Sequence, residues 1–311
     1  MATMTHDTTC AGIPVSGWVL AVVSAASFGL SGAVGRGVMD SGWSAAAAVA
    51  VRVLVGAAVL IPIAVVQLRG RWHLVRRYLP LMAVYGAVPV AGCQLAYFTA
   101  VTHVPVGVAL LVEYTAPLAV VGWLWLRQGQ RPTRLTIVGA AVGALGLLLV
   151  VDLTGGTTSL VGVLWALVAM VGAAFYFVLS SREVDGLPGT TLAAGGLLVG
   201  GLLLLVAGMA GLVPLTVSVA PVAYDGFTVA WWMPITVLGV VTAAAGYGCG
   251  IAATRSLGAR LASFVALSEV LAALVFAALL LGQAPAPVQL VGGVLIVAGV
   301  VTVRRGEPVA G

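Results

Sequence analysis

Charged residues are scarce in this sequence. Only 7% of its 311 residues are Asp, Glu, Lys or Arg, and 61% are hydrophobic, whereas a soluble domain has about 25% charged residues. A soluble fold of this length cannot hide so much apolar surface from water. Most of the charges also fall in short breaks between apolar runs of about 18 or more residues, the length that a helix needs to cross a bilayer. The composition therefore predicts an integral membrane protein.

Lysine is absent, and all 14 basic residues are arginine. The net charge of +5 would suit a nucleic-acid partner, but the arginines lie mostly between apolar runs, where they indicate membrane orientation instead. Cysteine is also rare. Cys10, Cys93 and Cys249 have neither C-x-x-C nor zinc-binding spacing. We interpret them as packing residues and expect no nucleic acid, metal or cofactor.

Hydropathy and the charged or Pro/Gly-rich breaks predict about ten transmembrane helices. The predicted spans are 17–38, 44–67, 78–101, 105–126, 135–151, 160–181, 190–213, 230–253, 260–281 and 287–303. Residues 1–16 contain no Lys or Arg, unlike the positive region that begins a cleaved signal peptide. We therefore expect the first helix to be retained after a short N-terminal tail.

The arginines alternate from loop to loop. The odd-numbered loops contain at most Arg36, whereas the even-numbered loops and the C-terminal tail contain Arg69, Arg71, Arg76, Arg77, Arg127, Arg131, Arg134, Arg182, Arg255, Arg260, Arg304 and Arg305. Loops rich in arginine stay on the cytoplasmic side. The sequence thus predicts a multi-pass protein of the cell (inner or plasma) membrane with both termini in the cytoplasm.

The two halves of the chain show internal similarity. A Gly-Gln-x-Pro turn occurs at 129–132 and again at 282–285, an offset of 153 positions from Gln130 to Gln283. At the same offset Gly86 meets Gly239 and Gly146 meets Gly299. Small residues match easily by chance in apolar helices, so the turn carries more weight. The similarity predicts two related five-helix repeats.

An offset of five helices places equivalent loops on opposite sides of the membrane. The arginines agree, because the turn at 130–134 carries two and its partner at 283–287 carries none. Inverted repeats recur in secondary transporters, where exchanging the conformations of the two halves opens a central site to alternate sides. The residues alone therefore favour a transporter.

Several motifs are typical of one known family. They are AYFTAVTHVPVG at 96–107, Pro117 thirteen residues before Gln130, AATRSLGARLA at 252–262, SEV at 268–270, and the glycines of the helices that close each half. With these motifs the chain resembles the EamA-domain branch of the drug/metabolite transporter superfamily over nearly its whole length. The motifs are specific to the fold but say little about the substrate.

The resemblance implies an all-α bundle of two inverted five-helix repeats, 17–152 and 160–303, around a central cavity. It also implies export of a small metabolite such as an amino acid. The tails would be 1–16 and 304–311. The chain departs from the family pattern at Gln130 and Gln283, where family members commonly have Glu, and at Val270, where they commonly have Pro. Glu269 matches the family's Glu.

Three ionisable residues lie inside predicted spans, where such groups mark functional sites by default. Arg52 and Glu113 each lie eight residues into a helix that enters from the outside, which is roughly 12 Å deep at 1.5 Å per residue. Equal depth makes an ion pair feasible. Two interpretations stay open for Arg52 and Glu113: a pair that only locks helices two and four together, or contact with the substrate.

Glu269 lies nine residues into a helix that enters from the cytoplasm, which places it near the midplane of the bilayer at roughly 13 Å. A carboxylate at that depth is expected either to bind a substrate ammonium group or to carry a proton that couples transport. The alternative is a permanently protonated Glu269 that hydrogen-bonds a neighbouring helix.

Further candidates lie on helical faces. Gln94 and its repeat equivalent Tyr247 are expected near the pseudo-symmetry axis, where transporters place their sites, and Tyr97 shares a face with Gln94. Trp165 and Tyr176 are candidates for lining a cavity, where they would offer an aromatic face to a cationic or aromatic substrate, although a lipid-facing or packing role is favoured for both. Three serines on the first helix have the spacing of helix-packing residues: Ser24, Ser27 and Ser31.

An intramembrane enzyme of lipid or peptide metabolism is the alternative. Such an enzyme needs paired carboxylates, a zinc site or a Ser/His couple on neighbouring helices. The histidines His6, His73 and His103 are scattered, and no two acidic residues share a predicted span. The sequence therefore predicts no catalytic activity. The expected partners are a small-molecule substrate and the lipid bilayer, with the chain acting as a monomer or homodimer.

Overall fold

The computed structural model describes residues 16–103, 109, 112–129, 132–150, 159–182, 186–282 and 287–306. The elements of the first half are α1 Gly17–Asp40, α2 Ala45–Leu68, α3 His73–Tyr85, a π-helical segment Gly86–Gly92, α4 Cys93–His103, α5 Ala116–Gln128 and α6 Arg134–Val150. The second half contains α7 Leu160–Ser180, α8 Gly189–Met209, β1 Val222–Tyr224, β2 Phe227–Val229, α9 Trp232–Val237, a second π-helical segment Leu238–Ala245, α10 Gly246–Val265, α11 Ser268–Leu281 and α12 Pro287–Gly306. Residues Pro105, Gln130, Gln283 and most of both predicted tails lie outside the described residues.

Six helical stretches in the described part of the chain are long and apolar enough to cross a membrane. They are Gly17–Asp40, Ala45–Leu68, His73–Ala100, Leu160–Ser180, Gly189–Met209 and Trp232–Val265. Three further apolar helices are shorter: Arg134–Gly146, Ser268–Leu281 and Leu290–Val303. The fold is therefore mostly helical and membrane-spanning, as predicted, while the number of crossings stays a prediction.

The stretch Trp232–Val265 runs through two of the predicted spans. Its 34 residues exceed the roughly 20 that one crossing needs. The backbone leaves the helical region at Gly258, where φ is +79° and ψ is 159°. A positive φ strains residues that carry a Cβ, so glycine suits this position. Gly258 lies between the predicted spans 230–253 and 260–281, where the sequence places a loop.

The helix ends explain the repeated Gly-Gln-x-Pro turn. Gly129 ends α5 with φ of +67°, and Gly282 ends α11 with φ of +66°. A left-handed residue after the last turn satisfies helix carbonyls that would otherwise lack donors. The repeated glycine is thus a helix stop. At the opposite end of a helix, the Ser44 side chain caps α2 by accepting a hydrogen bond from the amide of Ala47 at 3.3 Å.

The interruptions of the helices also recur at equivalent positions. The first π-helical segment begins at Gly86 and the second begins one residue before Gly239, its partner at the offset of 153. A two-residue turn follows Glu113, and another follows Val265, so these turns also correspond within one residue. Pro89 lies in the first π-helical segment and removes a helical hydrogen-bond donor there. The second segment contains no proline, so proline is not the general cause.

Helix packing follows the same correspondence. α6 packs along α12 and α2 along α8, and each of these pairs joins equivalent helices. α1 packs against α10, and its equivalent α7 packs against α4, the equivalent of the start of α10. The α6–α12 contact is close because glycines face each other: a Cβ built on Gly299 would lie 2.7 Å from the Gly139 carbonyl oxygen and 2.9 Å from Cα of Gly143. Small residues permit such close backbone approach between membrane helices.

A β-hairpin between α8 and α9 was not predicted. Its register pairs Val222 with Val229 and Tyr224 with Phe227. The hydroxyl of Tyr224 donates to the Val34 carbonyl of α1 at 3.1 Å, and burial raises the pKa of Tyr224 to about 12, so this donor stays protonated at neutral pH. The Asp225 amide donates to the Leu280 carbonyl of α11 at 2.9 Å. The hairpin therefore bridges the ends of α1 and α11.

The close α6–α12 contact yields a stability prediction. We expect Gly299→Ala to lower the free energy of unfolding by about 1–3 kcal/mol because its Cβ overpacks the contact. The matched control is Gly122→Ala, because Gly122 is also helical but has no atom within 4 Å of a built Cβ. Alanine favours a helix over glycine by about 1 kcal/mol, so Gly122→Ala should be neutral or stabilising. Thermal unfolding in detergent measures both. Equal midpoints for the two variants would contradict the prediction.

Candidate functional site

Two cavities meet in the middle of the bundle. The larger has a volume of about 450 Å³ and extends along α1 and α11 to Arg36, Asp40 and Leu281. The smaller has a volume of about 100 Å³ and extends toward the start of α1, where it reaches Ala21. The residues that line both cavities, called the boundary set, are Phe28, Gln94, Glu113, Tyr114 and Glu269. A polar solute that moves from one cavity to the other must pass these side chains.

The helix interruptions position both carboxylates of the boundary set. Glu113 directly precedes the turn at Tyr114 and Thr115, and Glu269 is the second residue of α11, just after the turn at 266–267. Irregular backbone at membrane depth is tolerated where it lines a cavity. The turn after Glu113 is also closed locally, because the amide and the hydroxyl of Thr115 both donate to the Val112 carbonyl, at 3.1 and 2.7 Å.

Within the described part of the chain, neither carboxylate of the boundary set is in an ion pair. The sulfur of Cys93 lies 3.8 Å from Oε1 of Glu113. The Cys93 thiol lies closer to the Ala169 carbonyl, to which it donates at 3.3 Å. Glu269 shares both cavities with the side chain of Tyr114. Both glutamates are partly exposed to the cavities. Their free acceptor atoms suit a cationic group such as an ammonium.

Arg52 is 1% exposed and lines neither cavity. Its Nη1 donates to Oε1 of Gln94 at 2.9 Å, and its Nη2 donates to the Thr242 carbonyl, in the second π-helical segment, at 3.2 Å. Its Cζ lies 5.9 Å from the centroid of the Phe28 ring, a cation–π distance. The ion pair with Glu113 that the sequence made feasible is not formed, because the guanidinium is directed to Gln94 and Thr242 instead.

Aromatic side chains surround the smaller cavity. Tyr176 and Tyr247 line it with their ring centroids 5.8 Å apart, and the Phe28 centroid lies 5.1 Å from that of Tyr247. The rings meet at steep angles of 80° and 86°, the edge-to-face geometry that aromatic pairs favour. Ser24 also lines this cavity and donates to the Gly246 carbonyl at 2.8 Å. The smaller cavity is therefore mostly apolar beyond the boundary set.

A family model described as "EamA-like transporter family" matches the chain twice, at residues 15–152 and 160–305. The chain belongs to the EamA-like transporter family. This confirms the resemblance drawn from its motifs.

Two curated relatives match this EamA-like protein. One, from Streptantibioticus cattleyicolor, is described as a "Probable terminal-alkyne amino-acid exporter" and is 32% identical over 235 residues, 74% of each chain. The other, from Clostridium kluyveri, is described as an "Uncharacterized transporter" and is 26% identical over 253 residues, 79% of each chain. A solved crystal structure matches with a TM-score of 0.72 at 21% identity, covering 94% of this chain and 99% of the other. At that identity the crystal structure shows the fold alone.

The EamA-like fold brings most of the sequence-predicted site residues to the cavities. Gln94, Glu113 and Glu269 line both, Tyr97 lines the larger, and Tyr176 and Tyr247 line the smaller. Of the serines, Ser24 lines the smaller cavity, Ser31 lines the larger, and Ser27 is buried without lining either. In the described part of the chain, no three His, Cys, Asp or Glu residues come together as metal ligands would.

Trp165, a sequence candidate for lining a cavity, lines neither of the two. Its side chain is 38% exposed, and it lies about 16 Å along α7 from Tyr176, because each helical residue rises 1.5 Å. At this level α7 packs through Ala166 and Ala169, which are fully buried. Trp165 lies beside that buried face rather than on it, so helical spacing alone does not predict whether its side chain reaches a cavity.

The structure adds three site residues that the sequence interpretation missed. Tyr114 and Phe28 belong to the boundary set, and Cys93 contacts Glu113. A signal existed for Phe28, which follows Ser24 by four residues and therefore shares its helical face. No periodic signal marks Tyr114, because its position depends on the turn that it begins.

The unpaired carboxylate of Glu113 yields a stability prediction. Functional groups at binding sites commonly lower the stability of the fold. A neutral amide is easier to bury than a carboxylate. We therefore expect Glu113→Gln to raise the free energy of unfolding by about 1–2 kcal/mol. The control is Asp40→Asn, because Asp40 is exposed and pairs with Arg36 at 3.0 Å; its loss should cost no more than about 1 kcal/mol. Thermal unfolding in detergent at pH 8 measures the stability of both variants relative to the wild type. A less stable Glu113→Gln protein would mean that the carboxylate is structural.

Proposed function

We propose that this chain is a secondary transporter of the cell membrane that exports a small amino acid or a related cationic or amphipathic metabolite by alternating access. The observation that carries the proposal is the pair of cavities separated by a boundary set whose two carboxylates have no ion-pair partner among the described residues. A transporter needs a polar site between two access paths, and in membrane proteins such a site lies where helices are interrupted. Both glutamates lie at such interruptions.

The proposed architecture is about ten helices in two inverted five-helix repeats, 17–152 and 160–303. Four observations support it. The family model matches each half, and the π-helical segments and the turns recur at one offset. Equivalent glycines, Gly129 and Gly282, end α5 and α11, and equivalent helices make equivalent contacts. Because loops with arginine alternate with loops without it, the termini are assigned to the cytoplasm. The larger cavity then opens to the outside.

In this proposal the ammonium group of the substrate binds Glu113 and Glu269. The Streptantibioticus cattleyicolor relative is named as an amino-acid exporter, which supports an amino-acid substrate. A carboxylate that binds either an ammonium or a proton can exchange one for the other across the membrane. Glu269 is the proposed coupling residue. Both relatives are named as a transporter or an exporter, which favours transport over an intramembrane enzyme.

Transport in proteoliposomes tests the function. The purified protein would be assayed with a panel of radiolabelled amino acids and their amines, including L-propargylglycine as a terminal-alkyne amino acid, with and without a pH gradient. We expect the protein to transport at least one amino acid. Its rate of transport should rise when a proton gradient drives protons in the opposite direction. Absence of transport for every amino acid and amine would overturn the proposal.

The coupling role of Glu269 has its own prediction. We expect Glu269→Gln to abolish the acceleration by a pH gradient, because an amide cannot release a proton, and to lower the transport rate by about tenfold or more. The matched control is Asp225→Asn, since Asp225 lies in the hairpin turn and lines neither cavity. The readout is uptake with and without the gradient. Unchanged gradient dependence in Glu269→Gln would exclude Glu269 as the coupling residue.

Cysteine accessibility tests the orientation. In a variant with Cys10, Cys93 and Cys249 replaced, a cysteine at Ser218 in the loop after α8 should react with an impermeant maleimide on intact cells, because this loop is predicted to lie outside. A cysteine at Arg76, in an arginine-rich loop region, should react only after the membrane is permeabilised. The reverse pattern would contradict the assigned topology.

A further inference from the structure

The boundary set contains an amide whose direction is fixed by a buried charge. A guanidinium has only donors, so the atom of Gln94 that lies 2.9 Å from Nη1 of Arg52 must be the carbonyl oxygen of the amide. The amide cannot be reversed without placing N–H groups against N–H groups. Gln94 therefore turns its amide nitrogen away from Arg52.

Arg52 itself cannot move easily. It is 1% exposed, its Nη2 is held by the Thr242 carbonyl at 3.2 Å, and its Cζ lies 5.9 Å from the centroid of the Phe28 ring. A buried charge that swings away from its partners loses hydrogen bonds that water cannot replace. The guanidinium is thus a rigid support behind Gln94, and it touches neither cavity.

The amide nitrogen of Gln94 carries two hydrogens. They face the cavities, because Gln94 lines both of them while its oxygen is held by Arg52, which lines neither. The boundary set therefore has a donor on α4 and two acceptor-only carboxylates, Glu113 and Glu269. A ligand with an ammonium group beside a carboxylate matches both.

We propose that Arg52 is a positioning residue that locks Gln94 as a hydrogen-bond donor, and that this donor makes the site select ammonium compounds that carry a carboxylate over amines that lack one. The inference rests on the proposed function. Glu113 and Glu269 supply the attraction for the ammonium, which both classes of compound share. The Gln94 amide supplies the discrimination, which only the amino acid satisfies. A hydrogen bond to a charged group corresponds to about 10- to 100-fold in affinity.

The test compares a matched pair of probes in proteoliposomes that contain the full chain. L-propargylglycine and its decarboxylated counterpart, but-3-yn-1-amine, share the same side chain and differ by the carboxylate. The measured quantity is the ratio of their half-saturation concentrations. In the wild type we expect the amino acid to saturate at the lower concentration. Gln94→Met removes the donor with little change in size and should reduce this preference about tenfold or more, because the amino acid loses more affinity than the amine.

Arg52 should act only through Gln94. We expect Arg52→Met to weaken the preference for the amino acid, since the freed amide can turn its oxygen to the cavity, and Arg52→Lys to weaken it less. In a Gln94→Met background, Arg52→Met should leave the ratio unchanged. Gln67→Met is the matched control, because Gln67 lies near the end of α2 outside both cavities. A cooperative thermal unfolding transition in detergent shows that each variant is folded, and Arg52→Lys with Gln94→Met suffices where Arg52→Met does not fold.

Each possible result either supports or overturns the inference. Loss of the preference with retained amine transport supports the inference. An unchanged ratio in Gln94→Met, or equal loss of both probes in a folded variant, overturns it and leaves the proposed function intact. Transport of neither probe by the wild type, together with failure of the whole amino-acid panel, overturns the proposed function and this inference with it.

Discussion

The structure depends on one constraint: within a bilayer, each backbone amide and carbonyl needs a partner inside the protein. Continuous helices meet this requirement, so every interruption of a helix must be closed locally or face a polar cavity. Here the turn after Glu113 is closed by the Thr115 hydroxyl and amide, and the Ser268 hydroxyl donates to the Val265 carbonyl at 2.6 Å beside the turn before Glu269. These local bonds let the chain bend at membrane depth and present carboxylates to the cavities.

The second consequence is that tight packing and open space are segregated. Where α6 meets α12, the backbones approach so closely that a Cβ on Gly299 would clash. Around the boundary set, by contrast, two cavities persist between α1, α4 and α11. Helix association in lipid relies on close packing because apolar surface gains nothing by leaving lipid. The glycine contacts away from the site therefore provide stability that the cavities cannot.

The sequence predicted the membrane class, the family, most span positions and six of the site residues that line cavities, because these follow from composition, helical period and motif. It failed where the contacts of a residue depend on the direction of its side chain in three dimensions. Arg52 and Glu113 share a depth, but depth does not say that the guanidinium turns to Gln94 and Thr242. Trp165 shares a helical period with Tyr176, but it lies too far along the axis. The hairpin at 222–229 is too short to show a strand pattern, and its register depends on contacts with α1 and α11.

The internal similarity separates two kinds of residue. Positions that agree at the offset of 153, such as Gly86 with Gly239 and Gly129 with Gly282, serve backbone geometry. Positions of the site disagree: Glu113 corresponds to Ala266, Glu269 to Ala116 and Gln94 to Tyr247. Two identical halves would present the same groups from both sides and would match only a ligand with the same symmetry. An α-amino acid carries its ammonium and its carboxylate side by side on one carbon and lacks that symmetry, so its recognition requires positions that differ between the repeats. Divergence between repeats is therefore the sequence feature that marks a directional binding site inside a symmetric fold.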